Sequence, residues 1–133
     1  MTIRDATVRE ATVDDAAGIA RVHVESWQTT YKGIMPDDVL AGLSIEQRAQ
    51  ARRDYMLQEN WAEKLYVAED ETGEIVGFVI GGAIREPVEM FDGELYAIYA
   101  LESAQGKGYG RALMTRLIQA LRQDGFKSML LWV

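Results

Sequence analysis

The feature that most constrains this chain is a glycine-rich segment between an apolar strand and an amphipathic helix. It reads Gln105-Gly106-Lys107-Gly108-Tyr109-Gly110-Arg111, follows a strand predicted over 94–101 and leads into a helix predicted over 112–123. Glycines let the backbone approach a ligand closely, and the unpaired amides and dipole of a helix N-terminus attract anions. The segment therefore predicts a mixed α/β fold with a phosphate site where this helix begins.

Two common phosphate-binding motifs do not fit the segment. A Walker loop requires a glycine five residues before the Gly106-Lys107 pair and a Ser or Thr after it, but Leu101 and Gly108 occupy those positions. In the dinucleotide fingerprint the third glycine falls at Arg111 or Leu113, depending on the starting glycine, and no N-terminal βαβ unit precedes it. Nucleoside triphosphate hydrolysis and dinucleotide binding are both disfavoured.

The rest of the chain predicts one continuous domain over 1–133. We expect strands over 7–11, 64–69, 74–84, 94–101 and 128–133, a helix from Thr12 to about Thr30, a helical turn from Pro36 to Leu43, and a helix from Ser44 to about Gln58. The segment Asp70-Glu71-Thr72-Gly73 predicts a hairpin. Gly77, Gly81 and Gly82 in the third strand predict a bulge or a close backbone approach.

Composition excludes several classes of function. The 133 residues contain no cysteine and one histidine, so we expect no disulfide, no thiolate site and no metal. No apolar stretch approaches the roughly 20 residues needed to span a membrane, which predicts a soluble cytoplasmic protein. A net charge of −7 argues against nonspecific nucleic-acid binding.

The charge is unevenly distributed. Five of the 14 basic side chains and one of the 21 acidic ones lie in residues 105–133, so this end of the chain suits an anionic ligand unless the charges only solvate helix faces. The acidic remainder weakly favours a cationic acceptor. On the first helix His23, Trp27 and Tyr31 share one stripe. Such a stripe forms either part of the core or the wall of a substrate pocket.

The glycine segment and the strand before it, Glu-Leu-Tyr-Ala-Ile-Tyr-Ala, resemble the acyl-CoA pyrophosphate loop of the GCN5-related N-acetyltransferase (GNAT) superfamily. The resemblance extends from Val8 to the end, because the residues before the first helix and the terminal Leu-Leu-Trp-Val also look like the family. Trp27, Tyr31 and Pro36 resemble a bacterial group of small-molecule acetyltransferases. The family's usual final helix and two strands have no counterpart after Val133.

The resemblance implies an α/β fold of the GNAT type, with a mixed, largely antiparallel sheet that is flanked by helices and short at its C-terminus. It also implies that the protein binds acetyl-CoA. Its pantetheine would lie along Ile98, Tyr99 and Ala100, and its pyrophosphate on the segment from Gln105 to Arg111. Acetyl transfer to an amine needs a group that removes the ammonium proton and a donor that stabilises an oxyanion. By resemblance Glu94 would be the base and a backbone amide near Ile98 or Tyr99 the donor; alternatively Glu94 is an exposed carboxylate at a strand end.

The sequence leaves the acceptor amine and the group that protonates the thiolate open. We expect an N-acetyltransferase acting on a small molecule or peptide, with His23, Trp27 and Tyr31 contacting the acceptor. The alternatives are an acyl-CoA-binding module without turnover and a subunit completed by another chain. The apolar strand from Met129 to Val133 predicts either a truncated polypeptide or a homodimer formed through that strand.

Overall fold

The computed structural model of the chain describes residues 7–131 and shows a five-stranded sheet with helices on both faces. In chain order the elements are β1 (Val8–Glu10), α1 (Ala16–Thr30), α2 (Asp37–Ala41), α3 (Ile45–Met56), β2 (Lys64–Glu69), β3 (Ile75–Ala83), β4 (Gly93–Ala100), α4 (Tyr109–Gln123) and β5 (Met129–Leu131). The strands lie in sequence order; neighbours pair antiparallel, except that β4 and β5 are parallel. The predicted mixed, largely antiparallel fold is confirmed.

Two helices begin at other residues than predicted. A short 3₁₀ turn over Val13–Asp15 follows Thr12, so that α1 itself begins at Ala16.

The start of α4 also differs from the prediction. This helix begins at Tyr109 and not at Ala112, because Gly108 takes a left-handed conformation (φ 92°) and serves as the N-cap. The side chain of Tyr109 is buried, which anchors the first turn against the core. The last three of the seven residues of the glycine-rich segment are therefore helical. The predicted start of α3 at Ser44 agrees with the structure, where Ser44 is the N-cap and the Gln47 N–H donates to its hydroxyl at 3.2 Å.

The core consists of two apolar layers, one on each face of the sheet. Side chains alternate along β2, so that Leu65 and Val67 face α1 while Tyr66 and Ala68 face α4. β3 is buried on both faces from Ile75 to Gly82, as expected for a central strand covered by helices on each side. Helices α1 and α4 therefore pack against opposite faces of the same strands.

A bulge interrupts the pairing of β3 with β4, as the glycines of β3 predicted. The register shifts between Ile80 and Gly81, which leaves Tyr96 as the extra residue on β4. A Cβ on Gly81 would lie 2.6 Å from the carbonyl oxygen of Glu94, so only glycine allows the strands to approach this closely. Because the bulge adds one residue, the alternation of side chains along β4 is reversed on its far side. The opposite set of side chains then faces α1.

The start of β5 is held beside β4 through Asp92, in the loop before β4. The Asp92 carboxylate accepts the backbone N–H groups of Lys127 and Ser128, both at 2.9 Å, and the Ser128 hydroxyl at 2.8 Å. These donors, the Lys127 N–H first, lower the pKa of Asp92 to about 2. The loop and the end of the described chain therefore form one hydrogen-bonded unit near neutral pH.

Candidate active site

The glycine-rich segment forms an open turn at the N-terminus of α4. Gly106 and Gly108 have φ values of 78° and 92°, which glycine adopts without strain. Gly110 lies in the first helical turn. A Cβ added to Gly106 or Gly110 would meet no heavy atom of residues 7–131 within 4 Å, apart from its chain neighbours and its own helix. The space beside both glycines is open to a ligand.

Amide donors and positive charge meet at this turn. The first three N–H groups of α4, from Tyr109 to Arg111, have no carbonyl partner within the helix. Because the Tyr109 ring is buried, only the backbone of that residue is available to a ligand. The side chains of Lys107 and Arg111 are exposed and form no salt bridge with any residue of the described part of the chain. The arrangement suits a phosphate or another anion.

Strand β4 becomes more accessible toward the turn. Its first three residues are buried and pair with β5, whereas Tyr96–Ala100 are half-buried and lie beyond the described β4–β5 pairing. The Gln105 side-chain amide donates to the Ala100 carbonyl at 3.3 Å and joins the turn to the end of the strand. The residues predicted for pantetheine, Ile98, Tyr99 and Ala100, therefore form the stretch between the bulge and the turn.

A cavity of about 390 Å³ lies between α1, α3 and the bulged part of the sheet. Its lining comprises Ile19, Ala20 and His23 of α1, Arg48, Ala51, Arg52 and Tyr55 of α3, Ile80 of β3, Tyr96 and Ala97 of β4, and the loop residues Glu63 and Arg85. Two of these residues belong to β4 at the bulge. The cavity therefore reaches the same strand that leads to the glycine turn.

Only one residue of the predicted aromatic stripe on α1 lines this cavity. His23 lines the cavity, and its ring stacks on Tyr99 with the ring centroids 5.0 Å apart. Trp27 donates its indole N–H to the Tyr99 hydroxyl at 3.2 Å, and Tyr31, just past the helix, contacts Trp27. Neither Trp27 nor Tyr31 lines the cavity. Burial, together with the arginines of α3, lowers the pKa of His23 and favours its neutral form at pH 7.

Glu94, the predicted base, is buried and paired. Its side chain is 3% exposed, which excludes the alternative of an exposed strand-end carboxylate. One carboxylate oxygen accepts the Arg85 backbone N–H at 3.0 Å and the other accepts the Arg85 guanidinium at 2.6 Å. The guanidinium also lies over the Tyr96 ring, 4.2 Å from its centroid. Arg85, and not Glu94, contributes to the cavity lining.

Two arginines of α3 were not among the residues predicted for the site. Arg48 and Arg52 are one helical turn apart, and both line the cavity with Tyr55, which follows three residues later. The sequence did carry a signal, because the two arginines are four residues apart in a helix with few apolar residues. In the structure only Ala49 of the 12 residues of α3 is fully buried. Which element this arginine face would meet depended on the tertiary fold.

Several sequence predictions fall at or beyond the limits of the described residues. In the terminal strand Met129 and Leu130 are half-buried and Leu131 is exposed, whereas Trp132 and Val133 lie outside the described residues.

Residues 7–131 contain no group of three or more His, Asp or Glu side chains able to hold a metal ion. No helix among them is sufficiently long and apolar to cross a membrane. The cytoplasmic location stays a prediction.

Comparison with known proteins identifies relatives of this chain. The family model described as the acetyltransferase (GNAT) family matches residues 21–133. An uncharacterized N-acetyltransferase of Bacillus subtilis, YuaI, is 44% identical over 131 residues, which are 96% of this chain and 70% of the relative. An L-methionine sulfoximine/L-methionine sulfone acetyltransferase of Pseudomonas paraeruginosa is 30% identical over 132 residues, covering 93% of this chain and 68% of the relative.

A solved structure shares the fold. The PaiA N-acetyltransferase of Thermoplasma acidophilum, determined in complex with coenzyme A, superposes with a TM-score of 0.73 at 20% sequence identity. The match covers 95% of this chain and 77% of that protein. Helices on both faces of a largely antiparallel sheet are thus an arrangement that this chain has in common with a coenzyme A-binding protein.

Proposed function

This chain belongs to the GNAT acetyltransferase family, and from that membership we propose that it is an N-acetyltransferase that moves the acetyl group of acetyl-CoA to an amine of a small molecule or peptide. The observation that carries the proposal is the open glycine turn at the N-terminus of α4, next to the half-buried end of β4. A donor bound there would reach the cavity along a single strand.

The residues of the turn fit the phosphates of acetyl-CoA. Gly106 and Gly110 leave space for a backbone contact, the first amides of α4 are free of helical partners, and Lys107 and Arg111 add positive charge. We assign the segment from Gln105 to Arg111 to the pyrophosphate and the backbone of Ile98, Tyr99 and Ala100 to pantetheine. Bound acetyl-CoA would supply the acetyl group as an activated thioester.

We propose Glu94 as the base that accepts the proton of the acceptor ammonium. A carboxylate is one of the side chains that act as general bases, and Glu94 lies at the start of the bulged strand β4. Because Glu94 does not line the cavity itself, we expect the proton to reach it through a water molecule. The ion pair with Arg85 would hold the carboxylate in one orientation.

The acceptor would occupy the cavity beside the bulge of β4. His23 lines this cavity, and we propose that it contacts the acceptor directly, while Trp27 and Tyr31 contribute by supporting the Tyr99 ring. A cavity of about 390 Å³ suits a small acceptor or a single peptide residue. The name of one relative points to amino-acid derivatives as the first compounds to test.

The release of free CoA from acetyl-CoA, measured with and without added amine, tests the proposed function. The panel should contain L-methionine sulfoximine, L-methionine sulfone, polyamines and short peptides, and mass spectrometry should verify the acetylated product. We expect amine-dependent release for at least one compound. Release that is equally slow with and without every amine would contradict the proposal.

Two alternatives give different results in the same experiment. An acyl-CoA-binding module would gain thermal stability from acetyl-CoA but release no CoA. A subunit that is completed by another chain would also gain thermal stability without releasing CoA when it is alone. It would release CoA once its partner is added. The proposed homodimer through the terminal strand predicts a solution mass of two chains, which analytical ultracentrifugation measures directly.

A further inference from the structure

The charges around the cavity are not balanced by the protein. Its lining contains three arginines, Arg48, Arg52 and Arg85, and a single carboxylate, Glu63. Arg85 is already neutralised by its ion pair with Glu94. Arg48 and Arg52 therefore face one carboxylate, which leaves an excess of positive charge in the cavity.

Arg48 and Arg52, the two arginines of α3 that line the cavity, have no bonded partner. Both side chains are half-buried, yet neither forms a hydrogen bond or a salt bridge within 4 Å of any residue described in the structure. Glu63 attracts Arg52 from a greater distance and instead accepts the Tyr55 hydroxyl at 3.0 Å. Burial lowers the pKa of Arg52, a sign that the protein desolvates this charge without a matching contact.

A guanidinium that is partly removed from water and left without a partner is unfavourable, and a bound anion would relieve that cost. The planar fork of arginine matches the oxygens of a carboxylate or phosphate, which it binds through two parallel hydrogen bonds. The spacing of one helical turn directs Arg48 and Arg52 to the same side of α3. The other cavity wall, with His23, Tyr96 and Ala97, remains for the rest of the acceptor.

We propose that the acceptor amine carries an oxyanion, a carboxylate or phosphate, that Arg52 and Arg48 bind at the α3 side of the cavity. The proposal rests on the proposed acetyl transfer and adds the chemical class of its acceptor. An anionic group on the acceptor does not conflict with the negative net charge of the chain, because net charge does not describe the charges that line one cavity. A zwitterion such as a free amino acid satisfies both parts of the site.

Matched pairs of amines test this inference. Each L-amino acid is compared with its carboxamide, and phosphoethanolamine with ethanolamine, by the kcat/KM for CoA release and by calorimetric binding in the presence of CoA. We expect the acidic member of the best pair to be favoured at least about tenfold, the effect of one charge-assisted hydrogen-bonded pair. A favoured amino acid identifies the carboxylate, and a favoured phosphoethanolamine identifies the phosphate.

The Arg52→Gln variant should reduce this preference to within about threefold, with Arg48→Gln having the same direction of effect. Arg53→Gln is the control, because it removes the same charge from the next residue of α3, which does not line the cavity. Equal use of both members of every pair, or an undiminished preference in both cavity variants, would overturn the inference.

The binding measurement separates the inference from the proposed function. If no amine is acetylated but acidic amines bind and Arg52→Gln abolishes that binding, the anion site stands and the proposed transfer fails. If amines are acetylated without regard to their acidic group, the transfer stands and the anion site fails. Absence of both binding and acetylation for all acidic amines overturns the anion site as well.

Discussion

The glycine turn and the cavity differ in how the chain builds them. The turn consists of consecutive residues, 105–111, and the groups that it offers to a ligand are mainly backbone amides at one helix N-terminus. The cavity takes side chains from α1, α3, β3, β4 and two loops, from Ile19 to Ala97. A ligand contacted through the backbone can be recognised from a local motif, whereas a ligand contacted through assembled side chains depends on the whole fold.

The same difference separates donor binding, which related proteins can share, from the choice of acceptor, which can differ between them. Backbone amides and open glycines can bind one donor in many relatives, while the cavity can change its acceptor by changing single side chains. Arg48, Arg52 and His23 are therefore the residues where this chain would express its own specificity. Variants in one region should alter donor binding, and variants in the other should alter the chemistry or the choice of acceptor.

The largest expected effect is on the chemical step. Glu94→Gln removes the proposed base and should lower kcat by about 10²- to 10⁴-fold, the usual contribution of general base catalysis, with little change in acetyl-CoA affinity. Steady-state kinetics from pH 6 to 9 measure this effect. Glu86→Gln, an exposed change of the same kind in the preceding loop, should retain full activity.

Full activity of the Glu94→Gln variant at every pH would show that the proton goes elsewhere. His23, which lines the cavity and has a lowered pKa, would then be the next residue to test. A parallel loss of acetyl-CoA affinity would instead mean that Glu94 organises the donor region, and the separation between the two regions would fail.

A second prediction compares glycines in the sheet and in the turn. Gly81→Ala forces a Cβ to within 2.6 Å of a backbone oxygen and 3.0 Å of Leu117, and should lower the free energy of unfolding by about 1–3 kcal/mol. Gly110→Ala meets no such neighbour and should not destabilise the protein, because alanine favours the helix. Chemical denaturation measures both variants, and equal destabilisation would refute the difference in packing.

The smallest expected effect concerns pH and His23. Because its pKa lies below the usual 6.5 in the folded protein, the unfolded chain binds more protons as the pH falls through that region. The free energy of unfolding should therefore decrease from pH 7.5 to 5.5, and less so in His23→Phe, which retains a ring beside Tyr99. Denaturation at several pH values measures this; identical slopes for both proteins would contradict it.

The sequence predicted the elements better than the side-chain contacts between them. The strands, the helix that begins after Ser44 and the glycine turn carry local signals, such as apolar runs between turn residues, and these elements appear in the structure. The burial of Glu94 depends on Arg85, nine residues away across a loop. The arginine face of α3 lines a cavity only because α3 packs beside α1 and the bulge of β4. Such contacts have no local pattern.

The start of α4 shows the same limit on a smaller scale. Glycines at 108 and 110 favoured a loop up to Arg111, but Gly108 is the N-cap and burial of the Tyr109 ring continues the helix from there. Tertiary packing thus outweighed the low helix propensity of Gly110. This correction also makes Gly110 the sharper probe, because alanine is compatible with its backbone.

Acetyl-CoA affinity, measured by titration calorimetry for three proteins, tests the division between donor turn and acceptor cavity most directly. Gly110→Ala should bind acetyl-CoA about tenfold more weakly or worse while remaining as stable as the unmodified chain, because its methyl group occupies the open space beside the turn. Arg52→Gln should bind it with unchanged affinity. Unchanged affinity in Gly110→Ala, or an equal loss in both variants, would contradict the account.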